Sequence, residues 1–268
     1  MLRDVLTALP GFATWPCDEI NLWWRHGNRH HPSDELGPEL ATEPVRTHLR
    51  DGFDRIRRRY DASSVVEKTC ANSLRVPFVR RVLPQARYVL ITRDGLDAAP
   101  SAQARWHAPL DLRYTAAKAR FVPLGDVPYY GARFLTGRVR RRRRDSARPT
   151  DWWGPRVHDA AELRATRPLD EVCLIQWQRC VEASLRDLAD LAPARRHHVV
   201  YEEFVADPER GLRQLLAFLG REDAFDAAAV AHVTAGSVGK GRAALSDDAR
   251  ERLTRLAAPT LEALGYGR

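Results

Sequence analysis

The stretch Arg87 to Thr92, RYVLIT, constrains this chain more than any other. It is a continuous run of apolar, partly β-branched residues bounded by charge. A strand that is apolar at successive positions, with no alternation, is expected to be covered on both faces, as in a parallel sheet. Parallel neighbours need long crossovers, usually helices, so the residues on either side should read as helix. They do. The expected fold class is therefore α/β, three layers, with a mainly parallel sheet flanked by helices. Ligands of such sheets bind beyond the carboxyl ends of the strands.

The remaining elements fit that frame. Leu2, Val5, Leu6 and Leu9 share one helical face, and Pro10-Gly11 ends it. Val45, Leu49, Phe53, Ile56 and Tyr60 mark a second amphipathic helix. Val65 to Lys68 reads as a short strand, followed by a helix around Ser73 to Leu83 that Pro84 stops. Leu174, Trp177, Val181, Leu185 and Leu188 give another helix, and His198 to Tyr201 a third strand. Asp207-Pro208-Glu209 is a helix start, with Asp as cap and Pro in the first turn, and Gly220 closes that helix. A last helix begins near Ser246. Residues from about 109 to 168 hold no sustained period and read as a long insertion in a single domain spanning 1–268.

Composition narrows the class. The chain has 268 residues, 44% hydrophobic and 29% charged, which suits one globular domain. No apolar run approaches the roughly 20 residues that span a bilayer. The N-terminus carries charge inside its short apolar stretch and does not read as a signal peptide. Cys17, Cys70, Cys173 and Cys180 show no metal-ligand spacing, so no metal is expected, and a cytoplasmic location is the default. The net charge is +8, with a basic run from Arg138 to Arg144 that is either a solvated loop or a rim attracting an anion.

Three strand ends should lie together: Glu67 to Thr69, Arg93 to Gly95, and Tyr201 to Glu203. Arg93 leaves the clearest strand, and Ser101 follows eight residues later in the next helix. An arginine fork beside a helix N-terminus and a hydroxyl make an anion site. The alternative is an arginine paired with Asp94 or Asp97.

These residues resemble the sulfotransferase superfamily that uses 3′-phosphoadenosine 5′-phosphosulfate (PAPS). In that family an arginine at a strand end, with a serine eight residues on, grips the 3′-phosphate of the nucleotide, and Arg93 and Ser101 match in type and spacing. VVEKTCANSLRV is similar to the segment that brings a lysine to the transferring group. VVYEEFVADPERGLRQLLAFLG is similar to the later strand and helix, whose tyrosine approaches the adenine. SVGKGRAALSDDARERLTRLAAPTLEALGY is similar to the C-terminal signature of bacterial members, whose Gly-basic loop closes over the 3′-phosphate.

The resemblance implies a nucleotide-binding transferase with the fold of P-loop nucleotide hydrolases and PAPS as co-substrate. Sulfuryl transfer would go to a hydroxyl or amine acceptor, small-molecule, lipid or glycan, by in-line attack without metal. It implies Lys68 as the catalytic cation, and Arg93, Ser101, Tyr201, Gly239, Lys240 and Arg242 as donor-binding residues. Where members often have tryptophan this chain has Gly241, so packing by that ring is expected to be lost. Cys70 stands where cytosolic animal members place a histidine base, so Glu19 is the expected base, with His26 and Asp18 behind it. A loop similar to RSGTT, which holds the phosphosulfate, does not occur. MLRDVLTALPGF is similar to the helix after that loop, so the expectation is that the first strand is missing and Met1 is an internal methionine. A catalytically inactive relative that binds nucleotide or polyanion is the alternative. Nucleic acid is not an expected partner.

Overall fold

The computed structural model describes residues 1–107, 123–132 and 152–267. The basic run 138–144 lies outside the described residues.

Helix α1 (Leu2–Thr7) buries Val5 and Leu6 and leads through Gly11, at φ +78°, into strand β1 (Phe12–Ala13). A short helix, α2 (Asn21–Trp24), and the long α3 (Glu43–Arg59) follow, and α3 buries Val45, Leu49 and Ile56. Strand β2 (Ser64–Val65) runs parallel to β1, with Ala13 opposite Val65. The strand expected over Val65 to Lys68 is thus shorter, because its last residues turn away into side-chain bonds described below. The helix expected from Ser73 begins as a 3-10 turn over Cys70–Leu74 and becomes α4 (Val76–Val82). Strand β3 (Tyr88–Thr92) leads into α5 (Gly95–His107).

After the insertion come α6 (Ala160–Thr166), α7 (Leu169–Leu188) and β4 (Arg196–Val200). Val157, Ala160 and Leu163 are buried in the core, so the end of the expected insertion belongs to the folded body. β4 stops at Val200, and Tyr201 opens α8 (Tyr201–Ala206) instead of ending the strand. In α9 (Pro208–Leu219) the Asp207 side chain accepts from the Arg210 N–H, and Gly220 closes the helix in the left-handed region, as the sequence predicts. Helices α10 (Lys240–Ala244) and α11 (Asp247–Ala263) complete the chain, with Ser246 capping the latter.

The sheet departs from expectation. Among the described residues it consists of two separate parallel pairs, β1–β2 and β3–β4, instead of one continuous layer. Alternation along the strands still sorts their side chains to two sides. Ala13, Val65 and Tyr88 join a cluster with Trp23, Trp24, Leu49 and Phe78. Phe12, Val66, Val89 and Val199 join another with Val5, Leu6, Leu212 and Leu215. Both pairs therefore lie between the same two cores. A third cluster, with Leu96, Trp106, Leu174 and Leu253, packs α5 against α6, α7 and α11. β3 is not covered throughout, since Ile91 is 40% exposed. Its apolar run reflects β-propensity as much as burial.

Burial sets the cost of truncation. Leu215→Ala, at a fully buried site, should cost about 2–5 kcal/mol in chemical denaturation, whereas Ile91→Ala should cost less than about 1 kcal/mol. Equal costs would mean that β3 is enclosed on both faces.

Candidate active site

Two groups of side chains stand at the carboxyl ends of the strands. The first follows β2. Lys68 donates from Nζ to Glu19 Oε1 at 2.9 Å, across 49 residues of sequence. Buried Thr69 brings them together: its hydroxyl lies 3.2 Å from the Ile20 N–H as acceptor and donates to Glu67 Oε1 at 2.6 Å. Asn72 Nδ2 takes the other Glu67 oxygen at 2.7 Å and holds the fully buried Arg75 through its own carbonyl. Arg75 also donates to Asn21 and lies over the Trp24 ring at 5.8 Å. Burial lowers its pKa to about 10, which leaves it charged at neutral pH. The loop carrying Glu19 and the turn carrying Lys68 are thus clamped through one polar network.

Burial by itself would lower the pKa of Lys68. The neighbouring Cys70 and Glu19 more than offset it, so the ammonium holds its proton more tightly than a free lysine. The Cys70 thiol, 4.0 Å from Lys68 Nζ, is desolvated and faces Glu19, which pushes it up to about 12. It is a neutral thiol at physiological pH, unsuited to act as base. Lys68 pairs with Glu19 and not with Glu67, and Arg25 pairs with Asp34 and not with Glu19. His26 Nδ1 lies 2.8 Å from the buried Asp126, which also bonds Arg29. That engagement takes His26 out of the Glu19–Lys68 pair. Asp18 precedes Glu19 in the same loop.

The second group follows β3 and β4. Thr92 is paired with Val200, so Arg93 and Tyr201 leave the strands side by side. The Arg93 guanidinium sits 4.7 Å from the Tyr201 ring centroid. It donates to the Ser237 carbonyl at 2.7 Å and to Asp97 Oδ2 at 3.4 Å, and its Nε is buried without a partner. The Tyr201 hydroxyl is 2.6 Å from Ser237 Oγ. Asp97 also accepts from the backbone N–H groups of Gly239 and Arg242. Arg242 donates from Nε to Asp94 at 3.0 Å and reaches the Tyr266 carbonyl. Glu202 joins both ends, accepting from Asp94 N–H and from the Tyr266 hydroxyl.

The structure thus gathers four expected donor contacts, Arg93, Tyr201, Gly239 and Arg242, and separately joins Glu19 to Lys68. Ser101 is not in the contact set: it is exposed, and its hydroxyl bonds the Asp97 carbonyl of its own helix. Lys240 is exposed beside the group. Gly241 leaves no room for a ring: a Cβ there would lie 2.6 Å from the Asp97 carbonyl oxygen, so the backbone of α5 packs directly against it. Asp97 and Ser237 carry the group; the sequence offered Asp97 as a partner of Arg93, which the structure shows, and gave no sign of Ser237.

Burial would raise the pKa of Asp97. The N–H groups of Arg242 and Gly239 and the Arg93 guanidinium outweigh it, so the carboxyl is held below the usual range. A depressed acid contributes stability above its unfolded pKa and loses it as pH falls through the folded value. The stability difference between the native chain and Asp97→Asn should therefore be constant near neutral pH and shrink as pH falls below the ordinary aspartate range. Denaturation curves across pH check this, and a difference that grew on acidification would contradict it.

The sulfotransferase family model matches residues 138–226. That stretch includes β4, Tyr201 and α9, and leaves Glu19, Lys68, Arg93 and the segment from Ser237 outside it. No curated protein matches the chain. Among solved structures, the sulfotransferase domain from the curacin biosynthetic pathway superposes with a TM-score of 0.51 at 13% identity, covering 99% of this chain and 92% of that one. A sulfotransferase from Alicyclobacillus acidocaldarius gives 0.48 at 20% identity, over 98% and 89% of the two chains. No helix among the described residues is long and apolar enough to cross a membrane. Over α7, β4 and α9 this chain is thus similar to the sulfotransferase family, and its fold is similar to that of the curacin-pathway sulfotransferase domain.

Proposed function

We propose that this chain transfers a sulfuryl group from PAPS to a hydroxyl or amine acceptor. The observation that carries the reading is the Arg93–Tyr201 pair at the paired ends of β3 and β4. A guanidinium with a buried, unpartnered Nε, held against a tyrosine face, fits a nucleotide that offers a phosphate and a planar base. Lys240, exposed at the start of α10, supplies a second cation for the same anion. The chain has three lysines among 43 basic residues, and two of them, Lys68 and Lys240, stand at candidate anion contacts. Lysine offers a compact, mobile point charge where arginine offers a planar fork.

In this reading the acceptor oxygen or nitrogen attacks sulfur as the bond from sulfur to the leaving phosphate oxygen breaks. The acceptor's proton passes to the Glu19 carboxylate, and the products are the sulfated acceptor and adenosine 3′,5′-bisphosphate. Lys68 offsets the negative charge that grows on the sulfuryl and leaving oxygens. Its ion pair with Glu19 holds that carboxylate beside the same reaction site. The acceptor would be a small-molecule, lipid or glycan hydroxyl, or an amine.

Titration with adenosine 3′,5′-bisphosphate tests the donor half. Arg93→Ala should weaken binding by about 1.5–3 kcal/mol, roughly ten- to 150-fold. An unchanged affinity would remove Arg93 from the nucleotide site. For the chemical step, Glu19→Gln should lower turnover by about 10²- to 10⁴-fold while leaving bisphosphate affinity intact. Retained turnover in that variant would assign the base elsewhere. Salt-sensitive binding to heparin that ignores Arg93, with no bisphosphate binding, would favour an inactive polyanion binder instead.

A further inference from the structure

The segment 237–242 touches both Arg93 and Tyr201, and one buried carboxylate, Asp97, accepts two of its backbone N–H groups. Asp97 lies in the first turn of α5 and is 1% exposed. Its Oδ2 accepts the Gly239 N–H at 2.6 Å, and its Oδ1 accepts the Arg242 N–H at 2.9 Å. Gly239 adopts φ +75°, which starts α10 and turns these N–H groups toward α5. Between them Gly241 lies flush on the Asp97 backbone, with room for no side chain. Immediately before this latch, Ser237 receives the Arg93 guanidinium on its carbonyl and meets the Tyr201 hydroxyl with its own.

We infer that Asp97 is a positioning residue: its carboxylate seats 237–242 on α5 and, through Ser237, fixes Arg93 against the Tyr201 ring. The inference rests on the reading of Arg93 and Tyr201 as nucleotide contacts. It adds a consequence for recognition. The N–H groups of Gly239 and Arg242 point inward to Asp97, so an anion reaching this site is not met by those two groups, and Arg93 and Lys240 supply the charged side chains for it. The side-chain choice follows from the geometry. Two N–H donors need two acceptor oxygens, and Asn supplies one oxygen and an opposing NH₂. Glu is one methylene longer and would push the segment off α5.

Two measurements on the full chain test it. Hydrogen–deuterium exchange needs no ligand: Asp97→Asn should speed exchange at the 239–242 amides at least about tenfold, because the buried acceptor is lost. Unchanged exchange would overturn the latch. Titration with adenosine 3′,5′-bisphosphate reads the site: Asp97→Asn should weaken binding about tenfold or more, the scale of one charge-assisted contact. Gly241→Ala, which changes no charge and forces the same segment off α5, should weaken it in the same direction and covers the case in which Asp97→Asn does not fold. Tighter binding in Asp97→Asn would overturn the inference, since Asp97 would then be an anion competing for Arg93. A lower melting temperature with unaltered affinity would overturn it too, leaving Asp97 a purely structural residue. If the native chain binds no bisphosphate, the reading of the nucleotide site fails, and the exchange experiment still decides whether Asp97 holds the segment.

Discussion

The register of β3 on β4 is the constraint on which the candidate donor site depends. Thr92 opposite Val200 means that the next residues, Arg93 and Tyr201, leave their strands at the same level. A slip of one residue would turn every side chain of one strand to the other face and separate the pair. The register is held from below by Val89 and Val199, which enter one core, and by Thr92 Oγ1, which lies 2.8 Å from His198 Nε2. From above, α5 continues directly from β3, α8 directly from β4, and Trp177 of α7 donates to the Arg93 carbonyl. A five-residue ladder is short, and its geometry is set by what packs around it.

Charge is managed by pairing basic groups with buried or half-buried acids. Asp97 holds the segment before α10 and touches Arg93, Asp94 holds Arg242, Glu19 holds Lys68, and Asp34 sits between Arg25 and Arg75. The carboxylates differ in how completely they are satisfied. Asp97 meets two N–H donors and an arginine, which offset its burial, whereas burial dominates at Glu67 and raises its pKa despite bonds from Thr69 and Asn72. Removing an acid from such a pair leaves a cation without its partner, which costs more than the pair itself contributes. A chain of net charge +8 keeps free cations for an anionic ligand only where an acid does not already hold them. Lys240 is such a place among the described residues, whereas Arg93 already meets Asp97 and keeps only its buried Nε without a partner.

By itself the sequence determined the longer helices, the cap at Asp207, the helix start near Ser246, the close at Gly220 and the strand that ends at Thr92, because hydrophobic period and capping chemistry are local. It also named Glu19 and Lys68, and the structure joins the two across 49 residues of sequence. Tertiary structure alone decided the split of the sheet into two pairs, the shortness of β2 and the seat of Gly241 on Asp97. It also turned Ser101 onto its own helix, where spacing had placed it on an anion. Each of these depends on which backbone lies against which. Spacing along one chain carries no record of that until the segments from Gly95 and from Ser237, 142 residues apart, are packed together.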